Sequence, residues 1–281
     1  MLCDLVDAYI RGERVDLVGL EAKRGAALPG PVQGYELRDG VAIIPVIGTM
    51  SQRMNMMTDV SGGTSSELLA RDIKSAADNP DVSAILMRID SPGGAVAGTQ
   101  PVAAAMMAAR SKKPTASLVE GLMASSAYWV GSAAEQIFLS SQVDMLGSIG
   151  VIQRHIDRSQ ANRDAGITQT DIVAGRYKAV ASDNGPLSET GRQVIQDRLD
   201  AIYRVFVGDV ARQRGVSVDR VLSDMADGRV FVGQQALDAG MADGYSTLDQ
   251  LVADLKDRAK WKPIQSGDRY RMKSTNKLPP L

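Results

Sequence analysis

The chain has 281 residues, 44% of them hydrophobic and 23% charged, with a formal net charge of −1. That is enough for one large α/β domain with extensions and is the balance of a folded globular chain. Near-neutral charge removes the electrostatic drive toward nucleic acid. The one cysteine, Cys3, excludes an internal disulfide and a cysteine-rich zinc site. The opening MLCDLVDAYIRGERVDL (1–17) carries acids early and alternates apolar with charged residues, so it reads as a short amphipathic helix and not as a secretory signal. No apolar run reaches the ~18 residues a membrane span needs, so a cytoplasmic location is expected.

Residues 1–34 read as an N-terminal arm ending in the Gly/Pro-rich GAALPGPVQG (25–34). GVAIIPVIGTM (40–50) predicts a buried strand, and SQRMNMMTDVSGGTSS (51–66) a loop whose Met56 and Met57 suit packing better than a cofactor. A helix is expected from Ser65 or Ser66 to about Ala77, stopped by Asn79-Pro80. Then follow a strand and glycine turn (82–94), a helix (Thr99 to Ala109), a strand (114–121), a helix (124–134) and strands at 136–140 and 149–153. Strands alternating with helices at this spacing predict parallel β-α units. Apolar residues three and four apart make Ser188 to Arg214 helical, and 228–255 adds a strand and two helical pieces. Residues 256–281 are polar and basic without apolar periodicity, and read as a flexible tail.

Three glycine-rich turns follow strands: DSPGGAV (90–96), GLMASSA (121–127) and MLGSIGV (145–151). Each places small residues where backbone can approach a ligand closely. The second holds the doublet Ser125-Ser126, either tight helix packing or a nucleophile whose oxyanion meets backbone N–H groups. A nucleophilic serine needs a base. The single histidine, His155, lies among charged residues in IQRHIDR (152–158), and Lys178 sits among small and apolar ones in VAGRYKAVAS (173–182). Either could be an ordinary exposed side chain. No cluster of His and Cys has metal-ligand spacing, and no Gly-Lys-Ser/Thr phosphate loop occurs.

Five motifs in order, IDSPGG (89–94), ASSAYW (124–129), LGSIGVI (146–152), GRYK (175–178) and GRVFVGQQALDAGMAD (228–243), resemble the signal peptide peptidase A (SppA) family of serine peptidases. The likeness runs from about Gly40 to Leu255. It implies the ClpP/crotonase-like α/β fold, with repeated β-β-α units and mostly parallel sheets, and a peptidase domain over 35–255. Aligning the aromatic pair Tyr128-Trp129 puts the family nucleophile on Ser125, and Ser126 on the following glycine, whose backbone N–H is the part used. The resemblance further implies Lys178 as general base, Ser148 as the residue orienting it, and Gly93 or Gly94 as second oxyanion donor. His155 is then a bystander, and no metal or cofactor is required.

Single-copy members of such families assemble into rings in which the lysine completes a neighbour's site, so a homo-oligomer is expected. With no membrane span or export signal, the chain is more similar to the tailed-phage branch, which processes scaffold, capsid or portal proteins in the prohead. Only a short tail follows the domain, so any scaffold is expected to be a separate protein. The rival readings are a cellular peptidase of signal peptides or cytoplasmic peptides, a crotonase-type acyl-CoA enzyme, and a ring-forming subunit without catalysis. The crotonase reading calls for carboxylates near the glycine turns acting on a thioester, and the residues at the turn here are Ser125 and Ser126.

Overall fold

Alternation along three apolar strands decides the layering. In β2 (Val41–Ile47), β5 (Ala84–Ser91) and β6 (Thr115–Ala124), successive side chains point to opposite faces. Val41, Ile43, Ala84, Leu86, Ala116 and Leu118 pack on one face against Leu251, Val252 and Leu255. Ile44, Val46, Met87, Ile89 and Val119 pack on the other, in the larger core. A strand buried on both faces reads as continuous hydrophobic sequence, which is why these runs stood out. The computed structural model describes residues 34–53 and 62–257. The expected arm, the Met56 and Met57 part of the 51–66 loop and the basic tail lie outside these residues.

The main sheet runs β1 (Glu36–Arg38), β2, β5, β6, β7 (Gln136–Leu139) and β10 (Gly244–Tyr245). Only the β1–β2 pair along this path is antiparallel. The helices are α1 (Ser66–Asp78), α2 (Thr99–Arg110), α3 (Ser126–Gly131), α4 (Ser159–Asp164), α5 (Glu189–Arg214), α6 (Val218–Asp224), α7 (Gln234–Asp238) and α8 (Leu248–Lys256). The apolar side chains of α1, α2, α3 and α5 enter the larger core, and α8 covers the opposite face.

A short second layer accompanies the main sheet. β2 leads to β3 (Met50–Ser51), which pairs with β4 (Thr64–Ser65), and then to α1. β5 leads to Gly94, bridged to Met50, and then to α2. β6 pairs with β5 and β7 over its first half, and over Leu122–Ala124 with β8 (Met145–Gly147), before α3. β8 in turn pairs antiparallel with β9 (Val230–Val232). This strand, short strand, helix succession is the repeated β-β-α unit in a mixed, mostly parallel α/β protein.

Helix starts match the capping chemistry. Ser65 Oγ accepts from the Leu68 N–H at the head of α1, and Ser188 Oγ from the Gly191 N–H at the head of α5. Three expectations are corrected. The strand at 114–121 continues to Ala124, because Gly121 (φ 108) lets β6 bend without ending. The helix expected over 124–134 is correspondingly short. The strand expected at 149–153 is absent: β8 ends at Gly147, and Ser148 adopts φ 52, which strand pairing does not accommodate. The chain then leaves as a largely exposed excursion over 151–187, with Ile152 86% and Ile172 94% exposed.

Candidate active site

β6 ends at Ala124 and α3 starts at Ser126, so Ser125 alone forms the turn between them, at φ 53 and ψ −124. A residue with a β-carbon is strained there by about 1–3 kcal/mol and stays only where its surroundings hold it. The Ser125 N–H donates to the Gly147 carbonyl (2.8 Å), and its carbonyl accepts from the Trp129 N–H (3.0 Å). Helix α3 is itself buried and tied to α5. Trp129 stacks on Phe206 with ring centres 4.4 Å apart and planes 8° from parallel. Its Nε1 donates to Asp209 Oδ2 (2.9 Å), and Ser132 Oγ to Gln213 Oε1 (2.5 Å). The sequence reading missed Asp209 and Gln213. A tryptophan inside a helix needs an acceptor for its indole N–H when buried, and that was the signal available.

The second glycine turn lies against this junction. A Cβ built on Gly93 would fall 2.5 Å from the Ala124 carbonyl oxygen and 2.8 Å from both Ser125 Cβ and Ser126 N. Only glycine fits, and Gly93 also has φ 85. Its N–H donates to Ser91 Oγ (3.1 Å), which donates in turn to the Gly48 carbonyl (2.6 Å). Met50 N–H donates to the Gly93 carbonyl (2.8 Å) and Ala95 N–H to the Met50 carbonyl (2.9 Å). In that parallel pairing the Gly94 N–H points away from Met50, and Gly94 is exposed.

The two serines of the doublet differ in setting. Ser126 is 3% exposed and its hydroxyl donates to Met50 Sδ (3.6 Å), whereas Ser125 is half-buried. Ser148 stands one residue past the Gly147 carbonyl that receives the Ser125 N–H, and is anchored by its own N–H to the Arg229 carbonyl (2.7 Å). Ser125, Ser126, Ser148 and Gly93 are thereby gathered at adjoining strand ends. Lys178 is not among them: it is exposed on the 151–187 excursion, and its Nζ has no hydrogen bond or ion pair to the described residues. His155 Nε2 lies 2.9 Å from the Ser182 carbonyl on the same excursion.

A serine on a strained strand-to-helix turn, followed by a helix N-terminus and flanked by a glycine loop, is the arrangement by which α/β hydrolytic enzymes present a nucleophile. Peptidase family S49 matches the chain over residues 107–262. The chain belongs to peptidase family S49.

It is 31% identical over 229 residues to capsid assembly protease C of Escherichia phage lambda, across 82% of this chain and 52% of that protein. It is 32% identical over 241 residues to head-tail preconnector protein GP5 of Enterobacteria phage P21, across 85% and 48%. To protease 4 of Salmonella typhi it is 29% identical over 205 residues, across 73% and 33%. The chain thus spans about half the length of the two phage relatives. Among solved structures it is similar to a ClpP1 mutant of Listeria monocytogenes, with TM-score 0.46 and 14% identity over 74% of this chain and 94% of that one. No helix among the described residues is long and apolar enough to cross a membrane.

Proposed function

We propose that the chain is a serine endopeptidase with a Ser125/Lys178 dyad, acting in the host cytoplasm within a phage prohead on scaffold, capsid or portal proteins. The observation that carries the reading is Ser125, held at φ 53 between β6 and α3 with Gly93 packed against it. Ser125 Oγ attacks a peptide carbonyl while Lys178 Nζ takes its proton. The oxyanion is met by the Ser126 N–H and, since Gly93's is taken by Ser91, by the Gly94 N–H. The tetrahedral intermediate collapses, Lys178 passes the proton to the leaving amine, and a water molecule repeats the steps on the acyl-enzyme. The phage setting is supported by the relatives named as a capsid assembly protease and a head-tail preconnector protein.

Lysine acts as a base only where burial strips water from its ammonium. Lys178 is exposed in the single chain, beside Tyr177 at 48% and Val173 at 50% exposure. The reading therefore includes a homo-oligomer in which one protomer's 151–187 excursion covers its neighbour's Ser125 and brings Lys178 to it. Ser148 orients the amine. The peptidase domain occupies 35–255.

The test is cleavage of casein or a candidate scaffold by the wild type, Ser125→Ala, Ser126→Ala and Lys178→Ala. Cleavage is expected to vanish in the first and third variants and to persist in the second. Mixing Ser125→Ala with Lys178→Ala is expected to restore part of the activity, because mixed assemblies contain intact sites. Equal cleavage by all four proteins would remove the dyad, and no recovery on mixing would remove its completion by a neighbour.

A further inference from the structure

A cavity of about 460 Å³ opens beside the glycine turn, between the head of α1, the head of α2 and the end of β3. Its walls include Arg53, Ser66, Glu67, Arg71, Lys74 and Gly98. Three features of this wall point to an anion. Cations outnumber carboxylates three to one, with Glu67 paired to Arg53 (3.2 Å), Arg71 to Asp72 outside the cavity wall (3.0 Å), and Lys74 in no ion pair with the described residues. The 13-residue helix α1 lines the cavity along one side, from Ser66 and Glu67 in its first turn to Lys74, and the dipole favours negative charge near that first turn. And Ser66, 1% exposed, carries a hydroxyl with no hydrogen-bond partner.

That hydroxyl is one of four buried side-chain polar atoms without a hydrogen-bond partner among the described residues. A buried hydroxyl left unsatisfied is destabilising, by about 1–3 kcal/mol. Its neighbours in the opening turn are already committed, the Glu67 N–H to the Gln52 carbonyl (3.2 Å) and the Leu68 N–H to Ser65 Oγ (3.3 Å). Ser66 is the donor in the cavity wall left without a partner.

We infer that this cavity is a recognition pocket for a carboxylate side chain on the polypeptide being cut. The inference rests on the peptidase reading and names part of its substrate. Gln52 follows by two residues Met50, whose backbone pairs with Gly94, so the cavity lies roughly 7 Å along the strand from the glycine turn at about 3.3 Å per residue. An extended substrate crossing the turn reaches it with a side chain about two to four residues from the scissile bond. The carboxylate accepts from Ser66 Oγ, with Lys74 and Arg71 offsetting its charge.

The test measures binding to the full-length Ser125→Ala chain, so that nothing is cleaved. The probes are fluorescent peptides of alanine and valine carrying a single Glu at successive positions, each compared with its Gln counterpart. The Glu peptide with correct spacing is expected to bind about tenfold more tightly than its Gln counterpart, the scale of one or two charge-assisted hydrogen bonds. That preference is expected to collapse when Lys74→Gln and Arg71→Gln are added together. It is expected to shrink with Ser66→Ala while Tm holds or rises, which separates recognition from folding.

Equal binding of Glu and Gln peptides at every position overturns the inference, as does a preference that survives all three substitutions. Failure of any Glu peptide to bind up to about 1 mM overturns it too. If succinate alone displaces nothing while the Glu peptides discriminate, the pocket reads a polypeptide and not a free acid; if succinate binds as tightly as the peptides, the polypeptide assignment falls. Discrimination in a chain whose wild type cuts nothing keeps the pocket and removes the peptidase reading. Cleavage without discrimination does the reverse.

Discussion

Replacing Gly93 by alanine places one methyl group at the point where the glycine turn meets the serine junction. The added carbon would lie 2.5 Å from the Ala124 carbonyl oxygen and 2.8 Å from Ser125 Cβ and Ser126 N. None of these is the end of a flexible side chain, so the turn and the junction must separate by several tenths of an ångström. Alanine at φ 85 adds about 1–2 kcal/mol of left-handed strain. Together with the displaced packing we expect about 2–3 kcal/mol of destabilisation, or roughly 4–12 °C in Tm for a domain of this size. The effect on chemistry is larger, because a misplaced oxyanion donor costs about 10²–10³ in kcat. Thermal melting and casein cleavage read the two effects separately, with Gly240→Ala as control: φ there is 77, but the nearest atom to a Cβ is Met225 Cε at 3.5 Å. A Gly93→Ala protein that melts within about 2 °C of wild type and cleaves within about threefold of it would refute the packing argument and the turn's role in catalysis.

Asp209→Ala removes the acceptor of the Trp129 indole and the partner of Arg212 (2.7 Å), and should cost about 2–3 kcal/mol by denaturant unfolding, with Asp209→Asn closer to wild type. Arg214 and Asp243 form a buried ion pair, 0% and 1% exposed (2.8 Å), in which burial opposes the Arg214 charge and Asp243 and Tyr128 together more than offset it. Arg214→Met alone is expected to lose about 3–5 kcal/mol by leaving the carboxylate buried, and Arg214→Met with Asp243→Leu to recover much of it. Ser148→Gly should hold or raise Tm, since glycine relieves φ 52, while lowering kcat if the hydroxyl orients the base. A loss of Tm without loss of activity would reverse that assignment.

The parts of this molecule written as local chemistry were readable from the sequence. Ser65 and Ser188 announce helices by offering side-chain oxygens to orphan N–H groups, and the apolar stretches VAIIPVI (41–47) and AILM (84–87) announce strands. The run at 149–153 misled for a physical reason. Ile149, Val151 and Ile152 have strand composition, but Ser148 turns the backbone out of the sheet and Ile152 is left in water. Composition does not say whether an apolar residue is covered by its own chain. The same gap hides the exposure of Lys178, and the Ser66 hydroxyl, whose lack of a partner depends on how two helices and a strand end meet. The junction that carries Ser125 was legible because its strand end, its helix and its glycine neighbour all arise within a few residues of it or of the 90–96 turn, while the choice of Ser125 over Ser126 rests on the family resemblance.

One strand, β6, belongs to both layers: Ala116–Val119 lie between β5 and β7, and past the bend at Gly121 Leu122–Ala124 pair with β8. Ser125 is thus mounted on the common beam of two frames, and loosening either one moves it. If Ser125 is the nucleophile proposed above, damage anywhere along those pairings should reach it as lost rate before it reaches the whole molecule as unfolding. Amide exchange at Met123 and Ala124 should be among the slowest in the chain, opening only when both frames open together.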